Sequence, residues 1–293
     1  MFGDSLLQSE KEEMMIELPE TYILAKQLNE TVIGKTIVNV TANAFPHAFA
    51  FYNGEPDLYR DKLLGKKITE ANPGTGYTCG GNTEIICEDM LLVISTPIKY
   101  HTKNGKLPAK HQLLIELNDG TFLSCTVQMW GAMICIKADK NDLPEQYQVN
   151  RTPDPMEDAF DKPYFDKLLS GVKPSLSVKA FLATEQRIPG LGNGVLQDIL
   201  FNARIHPKTK LEQLSSAGID KMYLSVKDTI SEMTAKGGRN TEKDLFGNPG
   251  GYLTKLSSKT LKNPCPVCGD TLVREAYLGG NIYFCPTCQK VIK

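Results

Sequence analysis

Four cysteines near the end of the chain have the spacing of metal ligands. Cys265 and Cys268 form one C-x-x-C pair, and Cys285 and Cys288 form a second pair after sixteen intervening residues. Two such pairs supply four thiolates for a tetrahedral Zn²⁺, and we expect zinc here rather than disulfides or an iron–sulfur cluster. Because a closed four-thiolate site leaves no position for substrate or water, the metal should fold a short hairpin and not catalyse.

A glycine-punctuated turn between two amphipathic helices is the second candidate site. Gly190 and Gly192 allow a tight bend with close backbone approach, and Asn193 stands where it can cap the following helix. A helix N-terminus attracts anions, so this turn could bind a phosphate group. The alternative is an ordinary corner between two helices, in which Asn193 is only the N-cap residue.

The charges are divided unevenly along the chain. Residues 1–150 hold 13 Lys and Arg against 19 Asp and Glu, whereas residues 151–293 hold 20 against 15. The second half therefore has the positive balance that suits a polyanionic partner. The first residues lack the pattern of a secretory signal, and no run is apolar enough to span a membrane. We expect a cytoplasmic, nucleoid-associated protein with reduced thiols and no membrane partner.

The apolar pattern predicts a multidomain α+β fold. A helix at 17–33 precedes short apolar runs that are typical of an antiparallel β-sandwich, with the clearest hairpin from Leu113 to Cys125 through Asn118-Asp119-Gly120. Helical spacing prevails in the second half. We expect a polar leader at 1–14, the sandwich domain at 15–140, a linker at 141–163, a helical domain at 164–262 with a glycine-rich lid loop at 237–254, and a zinc finger at 263–293.

These features together resemble the formamidopyrimidine-DNA glycosylase and endonuclease VIII family. The matching motifs, from Met15 onward, are MIELPE (15–20), KHQLLIELNDGTFL (110–123), GLGNGVLQDILFNARIHP (190–207), GGRNTEKDLFG (237–247) and CPTCQ (285–289). The resemblance implies a monomeric two-domain clamp with a helix–two-turn–helix domain and a four-cysteine zinc finger. It also implies double-stranded DNA as partner, a damaged or abasic nucleotide flipped out of the helix, and an N-terminal amine that forms a Schiff base with the sugar.

The resemblance gives several residues a role. Ile16 aligns with the family's N-terminal proline, so its amine, or that of Met15, would be the nucleophile if the chain is processed to begin there. Glu17 would transfer protons, with Glu20 in support. DNA contacts would come from Asn193 with Gly190 and Gly192, and from Gln128, Met129 and Trp130, although the position of Trp130 taken alone favours a core residue at a strand end.

Other family positions differ in this sequence. A DNA-contacting lysine aligns with Gly80-Gly81, and the phosphate-binding arginine of the finger aligns with Gly280. The wedge residues that fill the gap in DNA align with Pro97, Met129 and Trp130, so an aromatic wedge is present but its arginine is not.

Two functions are therefore compatible with the sequence. The first is a DNA glycosylase and AP lyase that acts through its N-terminal amine, which Glu17 and Glu20 favour. The second is a catalytically inactive, glycosylase-derived DNA-binding protein, which the loss of the proline and of two phosphate contacts favours. A zinc ribbon that binds only proteins would leave the glycine turn unexplained.

Overall fold

The computed structural model describes residues 16–74, 81–128, 131–138 and 152–291, which form two compact units. The N-terminal unit contains the described residues up to Thr152 together with Thr234–Tyr252. The C-terminal unit contains Pro153–Met233 and the described residues from Leu253 onward. Within the described ranges, no helix has the length and apolar character needed to cross a membrane. The predicted leader and residues 141–151 of the predicted linker lie outside these ranges.

The N-terminal unit is a sandwich of two β-sheets around one apolar core. Its strands are β1 (Ile37–Ala42), β2 (Ala50–Tyr52), β3 (Ile68–Gly74), β4 (Asn82–Cys87), β5 (Met90–Ile94), β6 (Ile98–His101), β7 (Leu113–Leu117), β8 (Phe122–Cys125) and β9 (Gly131–Lys137). One sheet has the order β1-β7-β8-β6, and the other has the order β2-β9-β5-β4-β3. Ile37 and Ile115 of the first sheet join Leu92 and Met133 of the second in one buried cluster. The predicted sandwich is confirmed.

One pair of strands differs from the antiparallel prediction. Strands β2 and β9 are parallel, with Ala50 opposite Gly131 and Tyr52 opposite Met133, whereas the other paired strands of the two sheets are antiparallel. Parallel strands need a long connection, and here β3 to β8 lie between the two partners. A local apolar pattern cannot identify a partner so distant in sequence, which explains the difference.

The first helix, α1 (Leu18–Thr31), begins within the ELPE motif. Glu17 is its N-cap residue with extended backbone, and Pro19 lies in the first turn, where its missing N–H leaves no hydrogen bond unmade. Leu28 lies on the buried face. The helix ends before Gly34, whose φ of +83° suits a residue without Cβ. These signals fix the start of α1, and with it the position of Glu17.

Local signals also predicted the central hairpin correctly. Strands β7 and β8 flank the Asn118-Asp119-Gly120 turn, in which Gly120 has a φ of +80° and donates its N–H to the carbonyl of Leu117 at 2.8 Å. A short helix, α2 (Tyr59–Leu63), lies between β2 and β3. The hydroxyl of Tyr59 donates to the carbonyl of Met133 at 2.7 Å and thereby links α2 to β9.

The segment Thr234–Tyr252 groups with the N-terminal unit, although the sequence analysis placed all of it in the helical domain at 164–262. It folds back on itself, because Tyr252 N–H donates to the Gly238 carbonyl at 3.0 Å and Asn240 N–H donates to the Tyr252 carbonyl at 2.8 Å. Gly250 lies so close to this turn that a Cβ there would be 2.2 Å from the carbonyl carbon of Gly238. The glycine-rich segment predicted as a lid at 237–254 is therefore a loop whose two ends are joined by main-chain hydrogen bonds.

The C-terminal unit consists of helices and one hairpin. The helices are α3 (Lys162–Ser170), α4 (Val178–Ala183), α5 (Asn193–Ala203) and α6 (Ser216–Ala235), and the hairpin is β10 (Val273–Tyr277) with β11 (Gly280–Phe284). Phe165 of α3 meets Phe181 of α4 edge to face, with ring centroids 5.5 Å apart. Leu278 and Gly279 form the hairpin turn with φ of +49° and +74°, a pattern that matches the right-handed twist of the strands.

The four terminal cysteines fit a tetrahedral zinc ion. Their sulfur atoms all lie within 4.8 Å of one another, with Cys265 Sγ 3.8 Å from Cys288 Sγ and Cys268 Sγ 3.4 Å from Cys285 Sγ. Four sulfurs at about 2.3 Å from one zinc ion are about 3.8 Å apart, whereas a disulfide needs about 2.05 Å. The cysteines therefore bind a structural Zn²⁺, which closes the loops at the base of the β10–β11 hairpin.

Removal of one zinc ligand should unfold the hairpin. Structural zinc contributes on the order of 10 kcal/mol to the folding of small metal-binding modules, more than this hairpin can recover from its few buried side chains. We expect Cys268→Ser to lower the zinc content well below one ion per chain and to remove the amide protection of β10 and β11, measured by atomic absorption and hydrogen exchange. The matched control, Cys125→Ala in the sandwich core, should keep its zinc; full zinc retention by Cys268→Ser would contradict this assignment.

Candidate functional site

Glu17 and Glu20, the predicted proton-transfer residues, both lie in the first turn of α1. Their side chains are buried, with residue exposures of 6% and 4%. The N–H of Thr21 donates to the carbonyl of Glu17 at 3.2 Å, so the main chain that holds Glu17 is part of the helix. The partial positive charge of a helix N-terminus attracts negative charge at these two positions.

Arg239 joins the two carboxylates. Its Nε donates to Glu20 Oε1 at 3.0 Å and its Nη2 donates to Glu20 Oε2 at 2.7 Å, while its backbone N–H also donates to Oε1 at 3.0 Å. The third nitrogen, Nη1, lies 3.5 Å from Glu17 Oε2. Burial disfavours the charged guanidinium, but the carboxylates of Glu17 and Glu20 outweigh burial and hold the pKa of Arg239 well above its usual range.

Sequence reasoning did not identify Arg239 as a site residue. It follows two glycines in GGRNTEKDLFG, a segment that suggested only a lid, and it lies more than 200 positions from Glu20. One signal was available. Arg239 follows two glycines in a segment that resembles the family, and the two glutamates of the ELPE motif require a positive partner if they are buried.

The main chain at Ile16 is fixed from a second side. The N–H of Gly81 donates to the Ile16 carbonyl at 3.1 Å, and the Ile16 side chain is part of the sandwich core. A Cβ on Gly81 would lie 2.9 Å from the carbonyl carbon of Glu17, so this close approach requires glycine. Met15 and Gly80 lie outside the described residues, and the role of Ile16 as an amine stays a prediction.

The glycine turn of the C-terminal unit differs from the prediction in one respect. The N-cap residue of α5 is Gly192, which makes no side-chain cap, and Asn193 is the first helical residue. The Asn193 side chain therefore does not cap α5; its Nδ2 donates to the carbonyl of Asn281 in β11 at 2.9 Å. Gly190, with a φ of +71°, makes the bend, and its N–H donates to Gln186 Oε1 at 3.1 Å.

Two side chains that the sequence did not single out hold the zinc hairpin against the helices. Gln197 Oε1 accepts from the N–H of Tyr283 at 2.9 Å, and Gln197 Nε2 donates to the Asn281 carbonyl at 3.2 Å. Lys179 Nζ donates to the carbonyl of Tyr277 at 2.6 Å. A Cβ on Gly280 would lie 3.5 Å from Asn193 Nδ2 and 3.7 Å from Lys179 Nζ. Asn193, Lys179 and the start of α5 thus present polar hydrogen atoms around Gly280.

The predicted wedge loop is described only in part. Gln128 is exposed and lies three residues after Cys125, the last residue of β8. Met129 and Trp130 lie outside the described residues, and the chain resumes at Gly131 in β9.

Comparison with known proteins agrees with this architecture. The family model of the formamidopyrimidine-DNA glycosylase H2TH domain matches residues 152–244, and the model of the zinc finger found in FPG and IleRS matches residues 262–291. Curated relatives include the formamidopyrimidine-DNA glycosylases of Lactobacillus delbrueckii subsp. bulgaricus, 26% identical over 94% of this chain and 100% of that protein, and of Geotalea daltonii, 28% identical over the same shares.

Solved structures show the same fold. The complex between the Lactococcus lactis Fpg and an abasic site containing DNA has a TM-score of 0.79 at 22% identity and covers 94% of this chain and 99% of that chain. The MutM (Fpg) protein from Thermus thermophilus has a TM-score of 0.75 at 22% identity, with the same coverage. Two domain models match in order and relatives align along nearly their whole length, which confirms the resemblance to the formamidopyrimidine-DNA glycosylase and endonuclease VIII family.

Proposed function

We propose that this protein is a DNA glycosylase of base-excision repair with AP lyase activity, and that it acts on damaged or abasic nucleotides in double-stranded DNA. The observation that carries the proposal is the buried pair Glu17 and Glu20 at the start of α1, directly after Ile16. Proton-transfer groups are needed at this position if an amine next to them attacks the sugar. The curated relatives with this chain length are formamidopyrimidine-DNA glycosylases, which supports the same activity.

The proposed nucleophile is the α-amino group of Ile16 or Met15 in a chain that begins at one of these residues. An α-amino group has an ordinary pKa of about 7.7–8.0, so a useful fraction is unprotonated near neutrality, unlike an ordinary lysine. Its attack on C1′ of the sugar displaces the base, and the C1′–O4′ bond then breaks, so that the sugar ring opens with O4′ as a hydroxyl and an imine forms. Glu17 then serves proton transfer during base release and strand cleavage, and Glu20 supports Glu17.

The proposed DNA contact in the C-terminal unit is the surface around Gly280. The second hydrogen of Asn193 Nδ2 is a donor of the type that phosphate groups accept, and the N-terminus of α5 attracts negative charge. Gln128, Met129 and Trp130 are proposed to fill the gap that a flipped nucleotide leaves. We further propose that the protein works as a monomer in the cytoplasmic nucleoid, where its substrate lies, and that the domain boundaries predicted from the sequence apply outside Thr234–Tyr252.

The amine and the carboxylate can be tested together. We expect borohydride to trap a covalent adduct between the protein and an abasic duplex, with the N-terminal residue identified by mass spectrometry. Glu17→Gln should slow strand cleavage by about 100-fold or more, because general acid–base groups contribute on that scale.

Glu30→Gln is the matched control, since Glu30 is an exposed glutamate on the same helix. Its trapping and cleavage rates should equal those of the wild type. Absence of an adduct with any abasic or oxidised-base duplex, while duplex binding persists, would sink the enzyme proposal and leave a non-catalytic DNA-binding protein.

The phosphate contact predicts a sequence-independent loss of affinity. Replacement of Asn193 by Ala removes one donor, and a net hydrogen bond of about 1 kcal/mol corresponds to about fivefold weaker binding. We expect this loss on every duplex sequence, measured by fluorescence anisotropy at several salt concentrations, with an unchanged salt slope because asparagine is neutral.

Asn263→Ala, at an exposed asparagine of the same unit, is the control and should bind DNA as the wild type does. Zinc content is measured in both variants, because Asn193 also contacts the hairpin at Asn281. Wild-type affinity of an intact, zinc-loaded Asn193→Ala protein would exclude Asn193 from the DNA interface.

A further inference from the structure

Arg239 has no part in the proposed reaction as described so far, yet it is 3% exposed and contacts both glutamates. Burial of a guanidinium costs free energy unless hydrogen-bonded carboxylates compensate its charge. The buried position of Arg239 therefore indicates that its neighbours are negatively charged. The inference below rests on the proposed function and concerns the same site.

The contacts of Arg239 are unequal. Glu20 receives two parallel side-chain hydrogen bonds from Nε and Nη2, the fork-to-fork geometry that is strongest for arginine and a carboxylate. This pair fixes the plane of the guanidinium. The remaining nitrogen, Nη1, then points to Glu17 Oε2 at 3.5 Å, so Glu20 and Arg239 together determine which charge faces Glu17.

The backbone leaves Arg239 little room to withdraw. Its N–H is bound to Glu20 Oε1, and its carbonyl accepts the N–H of Gly250 at 3.2 Å. Gly250 lies against Gly238 and Arg239, with a hypothetical Cβ only 2.6 Å from the Arg239 carbonyl oxygen. Segment 234–252 therefore holds the guanidinium against α1 by its main chain as well as by its ion pairs.

The charges around this centre favour ionised carboxylates, provided that Arg239 is present. Glu242, Lys243 and Asp244 line the same surface as Glu20 and Arg239, and Glu242 acts on Arg239 electrostatically. Acidic groups outnumber basic ones, so they repel one another, while the guanidinium and the N-terminus of α1 both attract them. Without the guanidinium, Glu17 and Glu20 would be two buried negative charges, and protonation of one carboxylate would remove the repulsion between them.

We propose that Arg239 is a positioning residue that holds Glu20 and Glu17 ionised and in place, so that Glu17 enters the reaction as a proton acceptor. The step this serves is elimination from the imine at C1′. The carboxylate of Glu17 takes the proton from C2′, and the electron pair of the broken C2′–H bond forms the C2′–C3′ double bond. The C3′–O bond breaks, and its electrons leave with the phosphate oxygen. Glu17 does not start with a proton to give to a departing base, so strand cleavage at a preformed abasic site should outpace base release.

The charge state of Glu17 can be measured without any activity. Carbon-13 NMR of the glutamate carboxyl groups, assigned with Glu17→Gln and Glu20→Gln, should show Glu17 ionised throughout about pH 5 to 8 in the full chain. In Arg239→Met, Glu17 should take up a proton within that range. Arg239→Lys, which keeps the charge but not the fork, should lie between them and covers the case in which Arg239→Met does not fold. Arg60→Met, at an exposed arginine of the same unit, should leave Glu17 unchanged.

The kinetic readout is the pH profile of abasic-site cleavage. Loss of the guanidinium should move the acidic limb of the profile to higher pH, with a loss of at least about tenfold at pH 6 that shrinks towards pH 8. A protonated Glu17 in the wild type at neutral pH, or a Glu17 titration that Arg239→Met and Arg239→Lys leave unchanged, overturns the inference. A wild type that forms no adduct while its Glu17 titrates as expected overturns the proposed function and supports this assignment of Arg239.

Discussion

The buried ion pair between Glu20 and Arg239 is the constraint on which the N-terminal unit depends most. Neither group could be buried alone, because an isolated charge in a low-dielectric interior costs several kcal/mol. The pair joins two segments more than 200 positions apart, α1 and Thr234–Tyr252. Segment 234–252 is therefore part of the sandwich unit through this ion pair and main-chain bonds as well as through Leu245, which lies in the sandwich core. The first turn of α1 acquires its charge environment from the same ion pair.

The C-terminal unit also depends on polar contacts, which here hold the β10–β11 hairpin against the helices. The β10–β11 hairpin has few fully buried side chains, so apolar burial alone cannot hold it. Zinc closes its base, and polar side chains attach it to the helices: Gln197 binds the main chain of β11, and Gln289 Nε2 donates to the Ile205 carbonyl at 2.9 Å. These amides satisfy buried backbone groups that a short hairpin would otherwise leave unpaired. The position of Gly280 beside α5 follows from these bonds.

Much of the fold followed from local sequence signals. The Asn118-Asp119-Gly120 hairpin, the start of α1 at ELPE and the four-cysteine cluster all depend on neighbouring residues, and the structure confirms them. The parallel pairing of β2 with β9 and the ion pairs of Arg239 depend on contacts between distant segments, which no local pattern encodes. Asn193 shows a finer limit. Its residue type suits an N-cap, but α5 begins one residue earlier than that role requires, since Gly192 takes the extended N-cap conformation and leaves the Asn193 side chain to bind Asn281.

Two departures from the family pattern have different physical origins. At Gly81 a side chain is sterically excluded, because a Cβ would lie 2.9 Å from the Glu17 carbonyl carbon and 2.8 Å from Thr21 Cγ2. A longer residue at Gly81 would displace the first turn of α1, and with it both carboxylates. At Gly280, by contrast, a side chain has room, since a Cβ there would make only ordinary contacts at 3.5 Å or more. Space does not explain the missing arginine at Gly280; the ammonium of Lys179, 3.7 Å from that Cβ position, already places a positive charge there. The first glycine therefore protects the geometry of the carboxylates, whereas no close contact requires glycine at the second position.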